Sequence, residues 1–193
     1  MPVILFRRGM MPLLTIALVV TLAACASVTD SGPQVVQSPN DSNRYRLLTL
    51  ENDLQVLLIS DPDSPKAAAS LDVKVGSGDN PPGRGGLAHF LEHMLFLGTD
   101  KYPDAAEYEE YITEHGGTRN AYTSFEHTNY FFDIDAAYLP EALDRFAQFF
   151  IAPRFDAEYV EREKNAVQAE YQMGLKSDAR RGLDVLQEVM NPE

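Results

Sequence analysis

Cysteine is nearly absent from this sequence, and tryptophan is absent altogether: the 193 residues include a single cysteine, Cys25. One cysteine cannot form a disulfide within the chain, so a disulfide-stapled fold is excluded. It also leaves no set of thiolates to hold zinc. Any metal site in this chain therefore has to use histidine and carboxylate ligands.

Positive charge is also scarce: the chain has 16 Lys and Arg residues and 29 Asp and Glu residues, for a net charge of −13. A nucleic-acid partner would need a basic patch, so we expect none. The same balance disfavours adsorption to anionic lipid. An acidic surface could attract cationic peptides, although a solvated acidic surface explains the composition equally well.

A long apolar run is lacking except near the start, where Arg7 and Arg8 precede an apolar stretch at 11–23. That stretch is too short for a stable membrane span and is typical of a secretory leader. It ends in the sequence Leu-Ala-Ala-Cys at 22–25, which resembles a bacterial lipoprotein signal.

The lipoprotein resemblance implies cleavage after residue 24 and acylation of Cys25. Because Ala26 follows the cysteine, it also implies a lipid anchor in the outer membrane of a bacterial cell envelope, facing the periplasm. The alternative is an ordinary secretory leader with an incidental cysteine. We predict residues 1–24 as signal peptide and 25–43 as lipidated cysteine and flexible linker.

Residues 44–193 have the length and patterning of a single domain with its own core. Alternating apolar segments and turn residues predict strands, and longer periodic segments predict helices. Early strands and late helices indicate an α+β fold with a mixed, mostly antiparallel sheet and helices packed on one face. The predicted strands are 44–50, 54–60, 68–75, 117–124 and 128–134, and the predicted helices are 87–97, 104–115, 138–151, 156–177 and 179–190.

The helix at 87–97 contains His89, Glu92 and His93 within five residues. Positions three and four apart share one face of a helix, so the three side chains point the same way. Two imidazoles on one face can bind a single zinc ion, and the carboxylate between them is placed to act on a bound water. Alone, the motif could also be a helix with two solvated histidines.

The helix at 156–177 offers a third ligand. Its apolar stripe through Val160, Val167 and Gly174 also includes Glu163 and Glu170. Burying an unpaired carboxylate costs several kcal/mol, and binding a metal removes that cost. Glu170 is therefore a candidate ligand. Glu163 could hydrogen-bond to a ligand residue without binding the metal itself.

The inverted motif His-x-x-Glu-His, with 76 residues between His93 and Glu170 and with Glu163 seven residues before Glu170, resembles the insulinase/pitrilysin family of zinc peptidases. The similarity covers about residues 44–193 and is strongest to the insulin-degrading branch. Three further segments agree: Gly-Gly-Thr-Arg-Asn-Ala-Tyr-Thr-Ser at 116–124, Glu-His-Thr-Asn-Tyr at 126–130 and Leu-Asp-Arg-Phe-Ala-Gln-Phe-Phe at 143–150.

This resemblance implies a metalloendopeptidase domain with one Zn²⁺ per chain, bound by His89, His93 and Glu170. Glu92 would be the general base for a zinc-bound water that attacks the peptide bond. Glu163 would support a ligand without binding the metal. Alternatively, Glu163 forms an ordinary surface ion pair with a neighbouring Arg or Lys. His115 and His127 lack ligand spacing and are predicted to be turn and strand residues.

The resemblance also implies a peptide substrate added as a β-strand along Asn120, Ala121 and Tyr122. Family members contain several such units closing around a chamber, whereas residue 193 lies where the first unit continues in relatives. We therefore expect a truncated N-terminal domain with little activity alone. The alternative function is a non-catalytic zinc- or peptide-binding fragment that needs a separately encoded C-terminal half.

Overall fold

The structure is a computed structural model that describes residues 35–190. The predicted signal peptide, Cys25 and the first part of the predicted linker lie outside the described residues. By its internal contacts the chain divides between Ser60 and Asp61 into two units, which are described separately.

The first unit contains the predicted hairpin. Strands β1 (Arg44–Thr49) and β2 (Gln55–Ser60) pair in antiparallel register, with Thr49 opposite Gln55. At the turn, Asp53 has a φ of 64° and its N–H donates to the carbonyl of Leu50 over 3.0 Å. Aspartate tolerates this left-handed conformation better than most residues, so the turn sequence is suited to closing the hairpin.

The second unit is built on a three-stranded antiparallel sheet. Strands β3 (Lys66–Val73), β4 (Thr118–Thr123) and β5 (Thr128–Asp135) are arranged in the order β3-β5-β4. In the register, Thr123 lies opposite Thr128. The central strand β5 alternates between buried and more exposed residues along its length, so one face of the sheet is covered. Strand β4 is an edge strand of this sheet.

Five helices complete the second unit, and none within the described residues combines the length and apolar character needed to cross a membrane. Three stop or start three residues inside their predicted bounds, so that residues 95–97, 104–106 and 175–177 lie outside the helices. Asp104 accepts the backbone N–H of Ala106 over 2.9 Å in a local turn, and the helix begins only at Glu107. The helices are α1 (Leu87–Met94), α2 (Glu107–Glu114), α3 (Leu139–Ile151), α4 (Ala157–Gly174) and α5 (Asp178–Met190).

The core lies between the covered face of the sheet and helices α2 and α3, and it confirms the α+β prediction with helices against one sheet face. Aromatic rings meet mainly edge to face, as in the Tyr108–Phe149 pair with centroids 4.7 Å apart. The buried residues of this cluster are Leu95, Tyr108, Ile112, Tyr130, Phe132, Ile134, Ala142, Phe146 and Phe149.

Helix α1 lies at the edge of this core and contacts both α4 and β4. Gly86 precedes it with a φ of 85°, a conformation that a side chain would strain, and accepts the N–H of Phe90 over 2.8 Å. Buried Met94 and Leu95 anchor the C-terminal end of α1. The contacts of α1 with α4 and β4 place its polar residues between these two elements. This position determines the geometry of the candidate site.

Candidate metal centre and active site

His89 and His93 lie one turn apart on α1, with their Nε2 atoms 3.1 Å from each other. Their rings meet edge to face, at 84° and with centroids 4.7 Å apart. Ligand atoms about 2.0–2.2 Å from a tetrahedral zinc ion are roughly 3.3–3.6 Å apart, so this separation is close to the one that a shared metal requires. The helix period brings the two nitrogens together as the sequence predicted.

Glu170 on α4 provides a carboxylate to the same point. Its Oε2 lies 3.4 Å from Nε2 of His89, and its Oε1 lies 3.9 Å from Nε2 of His93. Within residues 35–190, these three residues form the one group of His, Cys, Asp or Glu side chains whose ligand atoms all lie within 4.8 Å of one another. Two nitrogens and one oxygen suit zinc and leave a fourth position open for water.

Glu163 lies seven residues before Glu170 on α4, outside the group formed by His89, His93 and Glu170 but in contact with His93. Its Oε2 is 3.1 Å from Nδ1 of His93, and its Oε1 accepts Nε of Arg162 over 2.9 Å. Both proposed roles therefore occur together, whereas Lys164 pairs with Glu161. With Nδ1–H of His93 donated to Glu163, the lone pair of Nε2 is directed to the metal position.

The charge state of Glu163 follows from these contacts. Its side chain is only 13% exposed. Burial acts to raise the pKa of the carboxyl, but the hydrogen bonds from His93 and Arg162 outweigh it and hold the pKa below its ordinary value. An ionised Glu163 strengthens the donor character of the imidazole facing the metal position.

Glu92 lies on α1 between the two histidines and is 7% exposed. It does not belong to the three-ligand group. Its Oε2 accepts the hydroxyl of Thr123 over 2.5 Å. A carboxylate that is close to the metal position yet bound to a strand rather than to the metal is suited to proton transfer.

Two of the clefts at the metal position also reach β4, with volumes of about 660 and 670 Å³. Glu92, Asn120, Ala121 and Glu170 line both of them. Tyr122 lines only the second cleft, which also extends to α5. The predicted substrate strand therefore runs directly past the candidate site.

The two remaining histidines are held elsewhere. His115 lies in a turn, as predicted, whereas His127 lies in the connection between β4 and β5 rather than in a strand. Nδ1 of His115 contacts the carbonyl of Tyr111 over 2.7 Å, and its ring packs against Tyr138. Nδ1 of His127 lies 3.6 Å from Oδ2 of Asp72. Neither belongs to the three-ligand group.

Sequence reasoning missed Thr123, the hydrogen-bond donor to Glu92. The alternation of β4 could have placed Thr123 on the same face as Ala121, opposite Asn120 and Tyr122. That pattern alone does not reveal which helix covers the face, so the contact with Glu92 required the structure.

The fold and the three-ligand centre define a metallopeptidase-type domain. The family model described as Insulinase (Peptidase family M16) matches residues 55–193, and the chain belongs to this family. The resemblance to this family, predicted from the inverted motif, is thereby confirmed. The similarity to its insulin-degrading branch, predicted with the segments at 116–124, 126–130 and 143–150, is confirmed by the relatives that follow. Together with the two-histidine, one-glutamate group, family membership identifies Zn²⁺ as the cofactor.

Individual relatives share this part of the chain. It is 51% identical over 160 residues to Insulin-degrading enzyme of Mus musculus, covering 83% of this chain and 16% of that protein. It is 53% identical over 156 residues to Insulin-degrading enzyme-like 1, peroxisomal, of Arabidopsis thaliana, covering 81% and 16%. The crystal structure of pitrilysin superposes with a TM-score of 0.71 at 41% identity, covering 75% of this chain and 15% of that one. The chain thus spans about 16% of the length of these curated relatives.

Proposed function

We propose that this chain is a zinc-dependent metalloendopeptidase domain that hydrolyses peptide bonds with Glu92 as the general base. The observation that carries the proposal is the position of Glu92: a buried carboxylate beside the three-ligand group, outside that group, and facing two clefts along β4. A metal-binding helix without a catalytic role would not need such a carboxylate.

The residues divide the chemistry between them. Bound by His89, His93 and Glu170, zinc supplies Lewis acidity that lowers the pKa of water to about 7 and polarises a carbonyl. The Glu92 carboxylate takes the proton of the attacking water and delivers it to the leaving amine. Glu163 fixes the imidazole of His93 in the orientation that the centre needs.

We propose that the substrate is a peptide that pairs with β4. Within residues 35–190, β4 pairs only with β5, so its other edge can accept an extended chain. Asn120, Ala121 and Tyr122 line the clefts beside the metal position, which supports the substrate-contact roles carried over from the family. Pairing would satisfy the peptide backbone and align it past Glu92.

The second candidate function is zinc or peptide binding without efficient turnover, and the exposure of the centre favours it for this unit alone. The side chain of Glu170 is 46% exposed, and both clefts are open to solvent. Water in the site weakens electrostatic stabilisation of the transition state, and a one-sided groove holds a peptide loosely. We propose that a complementary C-terminal half restores turnover.

The test compares the zinc-loaded protein with its Glu92→Gln variant in a fluorogenic peptide assay, with and without the second half of a relative added in trans. Zinc content is measured in both. We expect equal zinc content, cleavage by the wild-type protein that rises when the second half is added, and no cleavage by the variant. Glu161→Gln is a matched control, because Glu161 is a solvated carboxylate on α4. Equal cleavage by Glu92→Gln would exclude the mechanism, and zinc binding without cleavage under any condition would support the non-catalytic function.

We also propose that the protein is anchored to the bacterial envelope by a lipid on Cys25, at the outer membrane and facing the periplasm. The support is the basic, apolar and small-residue order of residues 1–25. A single acyl chain gives marginal membrane binding, whereas two or more give stable attachment. An anchored peptidase domain would act on peptides in the periplasmic space.

A further inference from the structure

Strand β4 holds the candidate base in place through one side chain. The hydroxyl of Thr123 donates a hydrogen bond to Oε2 of Glu92. Hydrogen bonds from a hydroxyl to an ionised carboxylate are stronger than those between neutral groups. Glu92 is buried and Thr123 is half-buried, so water competes little for this contact. The bond fixes one oxygen of the carboxylate and leaves the other, Oε1, for proton transfer.

The opposite strand ensures that the proton of Thr123 is available for this bond. Thr128 lies directly across from Thr123 on β5, and their hydroxyl oxygens are 3.5 Å apart. Thr128 donates its own proton to the carbonyl of Val75 over 2.8 Å. Each hydroxyl has one proton. Thr128 donates its proton to the carbonyl of Val75, so Thr123 donates its own proton to Glu92.

Thr123 also belongs to the strand that carries the proposed substrate contacts. Successive side chains of β4 alternate between its two faces, so Thr123 and Ala121 face inward while Asn120 and Tyr122 face outward. The same six-residue strand therefore provides the proposed substrate contacts and the hydrogen bond to the base.

We infer that Thr123 is a positioning residue that orients Glu92 for proton transfer. The inference deepens the proposed peptidase function and rests on it for its effect on rate. The hydrogen bond itself is independent of that function. The two can therefore be tested separately, first in the metal-free protein and then in the loaded one.

The first experiment is a double-mutant cycle on the metal-free protein, using Thr123→Val and Glu92→Met separately and together. Urea unfolding midpoints are compared. We expect Thr123→Val to lower the midpoint when Glu92 is present, because a buried carboxylate loses its donor. The same change should have little or no effect in the Glu92→Met background. Additive shifts would show that the two side chains are not coupled and would overturn the inference.

The second experiment measures peptide cleavage by the zinc-loaded protein, with the second half of a relative added in trans. We expect Thr123→Val to lower kcat by about tenfold with KM and zinc content unchanged, because misorientation loses part of the roughly 10²–10⁴-fold contribution of a general base. Thr123→Ser, which keeps the hydroxyl, should recover most of the loss. Thr99→Val is the matched control: it removes a buried hydroxyl that accepts the N–H of Tyr102 over 3.1 Å rather than contacting Glu92 or Thr123, and should lower the unfolding midpoint without lowering kcat.

The outcomes separate the two proposals. An unchanged kcat in Thr123→Val would overturn the positioning role even if the cycle shows coupling. An equal loss in the Ser and Val variants would do the same, because the hydroxyl would then not matter. If no form of the protein cleaves peptide, the proposed function fails, while the cycle still decides whether Thr123 holds Glu92.

Discussion

Replacing Glu163 by glutamine is expected to weaken zinc binding without removing a ligand. The substitution keeps the shape of the side chain and an oxygen that can accept Nδ1–H of His93, at present 3.1 Å away. It removes the negative charge that polarises the imidazole. The ion pair with Arg162 is lost as well, but that guanidinium is 56% exposed and contributes little.

The magnitude follows from the change in hydrogen-bond type. A hydrogen bond to a charged group contributes about 1.5–3 kcal/mol, and a neutral one about 0.5–1.5 kcal/mol. The difference of roughly 1–1.5 kcal/mol corresponds to about a tenfold weaker zinc affinity. Little discount for solvent is needed, because Glu163 is only 13% exposed. Loss of a direct ligand, as in His93→Ala, should be far more severe.

The assay is competition for zinc between the metal-free protein and a chromogenic chelator, at fixed pH. Glu161→Gln is the control, because Glu161 lies on the same helix and pairs only with Lys164, at 2.9 Å. We expect its zinc affinity to equal that of the wild-type protein. If Glu163→Gln matches this control, Glu163 does not support His93. If it abolishes binding as His93→Ala does, Glu163 is itself a ligand.

Three further outcomes are expected. Cys25→Ser should abolish incorporation of a radioactive fatty acid, and a wild-type protein that takes up no label would contradict lipidation. Asp144→Asn should reduce the loss of folding stability at low pH. The hydrogen bond from Lys101 holds the pKa of Asp144 below its ordinary 3.8. The stabilising contribution of the Asp144 carboxylate is therefore full above that value and is lost as pH falls through the lowered pKa. Urea unfolding midpoints of the variant and the wild-type protein are compared from pH 7 to pH 3. An equal loss of stability at low pH in the two proteins would contradict the prediction. Gly117→Ala should destabilise by about 1–3 kcal/mol, because a Cβ there would lie 2.1 Å from a backbone oxygen of β5; Gly85→Ala, with nothing within 4 Å, is the control in the same urea assay.

The parts of the site that depend on helix periodicity were predictable. His89, Glu92 and His93 meet because residues three and four apart share a helix face, and this holds whatever surrounds the helix. Glu163 and Glu170 share a face of α4 for the same reason. The match between the two helices came from the spacing of a known motif, since nothing local to either helix indicates its partner.

The contact between Thr123 and Glu92 could not be predicted, because it depends on three non-local arrangements at once. Strand β4 must pair with β5, helix α1 must cover β4, and the register must place Thr123 beside the second turn of α1. Periodicity specifies which face a residue occupies but not what lies above that face. The start of α2 was missed for a different reason, since Asp104 forms a competing local turn.

The edge position of β4 has a consequence for how a guest chain can be recognised. Along a strand, the outward-pointing N–H and C=O groups come from every second residue, so a paired peptide contributes backbone groups at alternate positions only. Methylating the peptide nitrogens one at a time should therefore block association at alternating positions and leave the intervening ones unaffected. Such a scan would give the register of the guest chain on β4 directly, and the tolerated positions would be places to protect an inhibitory peptide against hydrolysis.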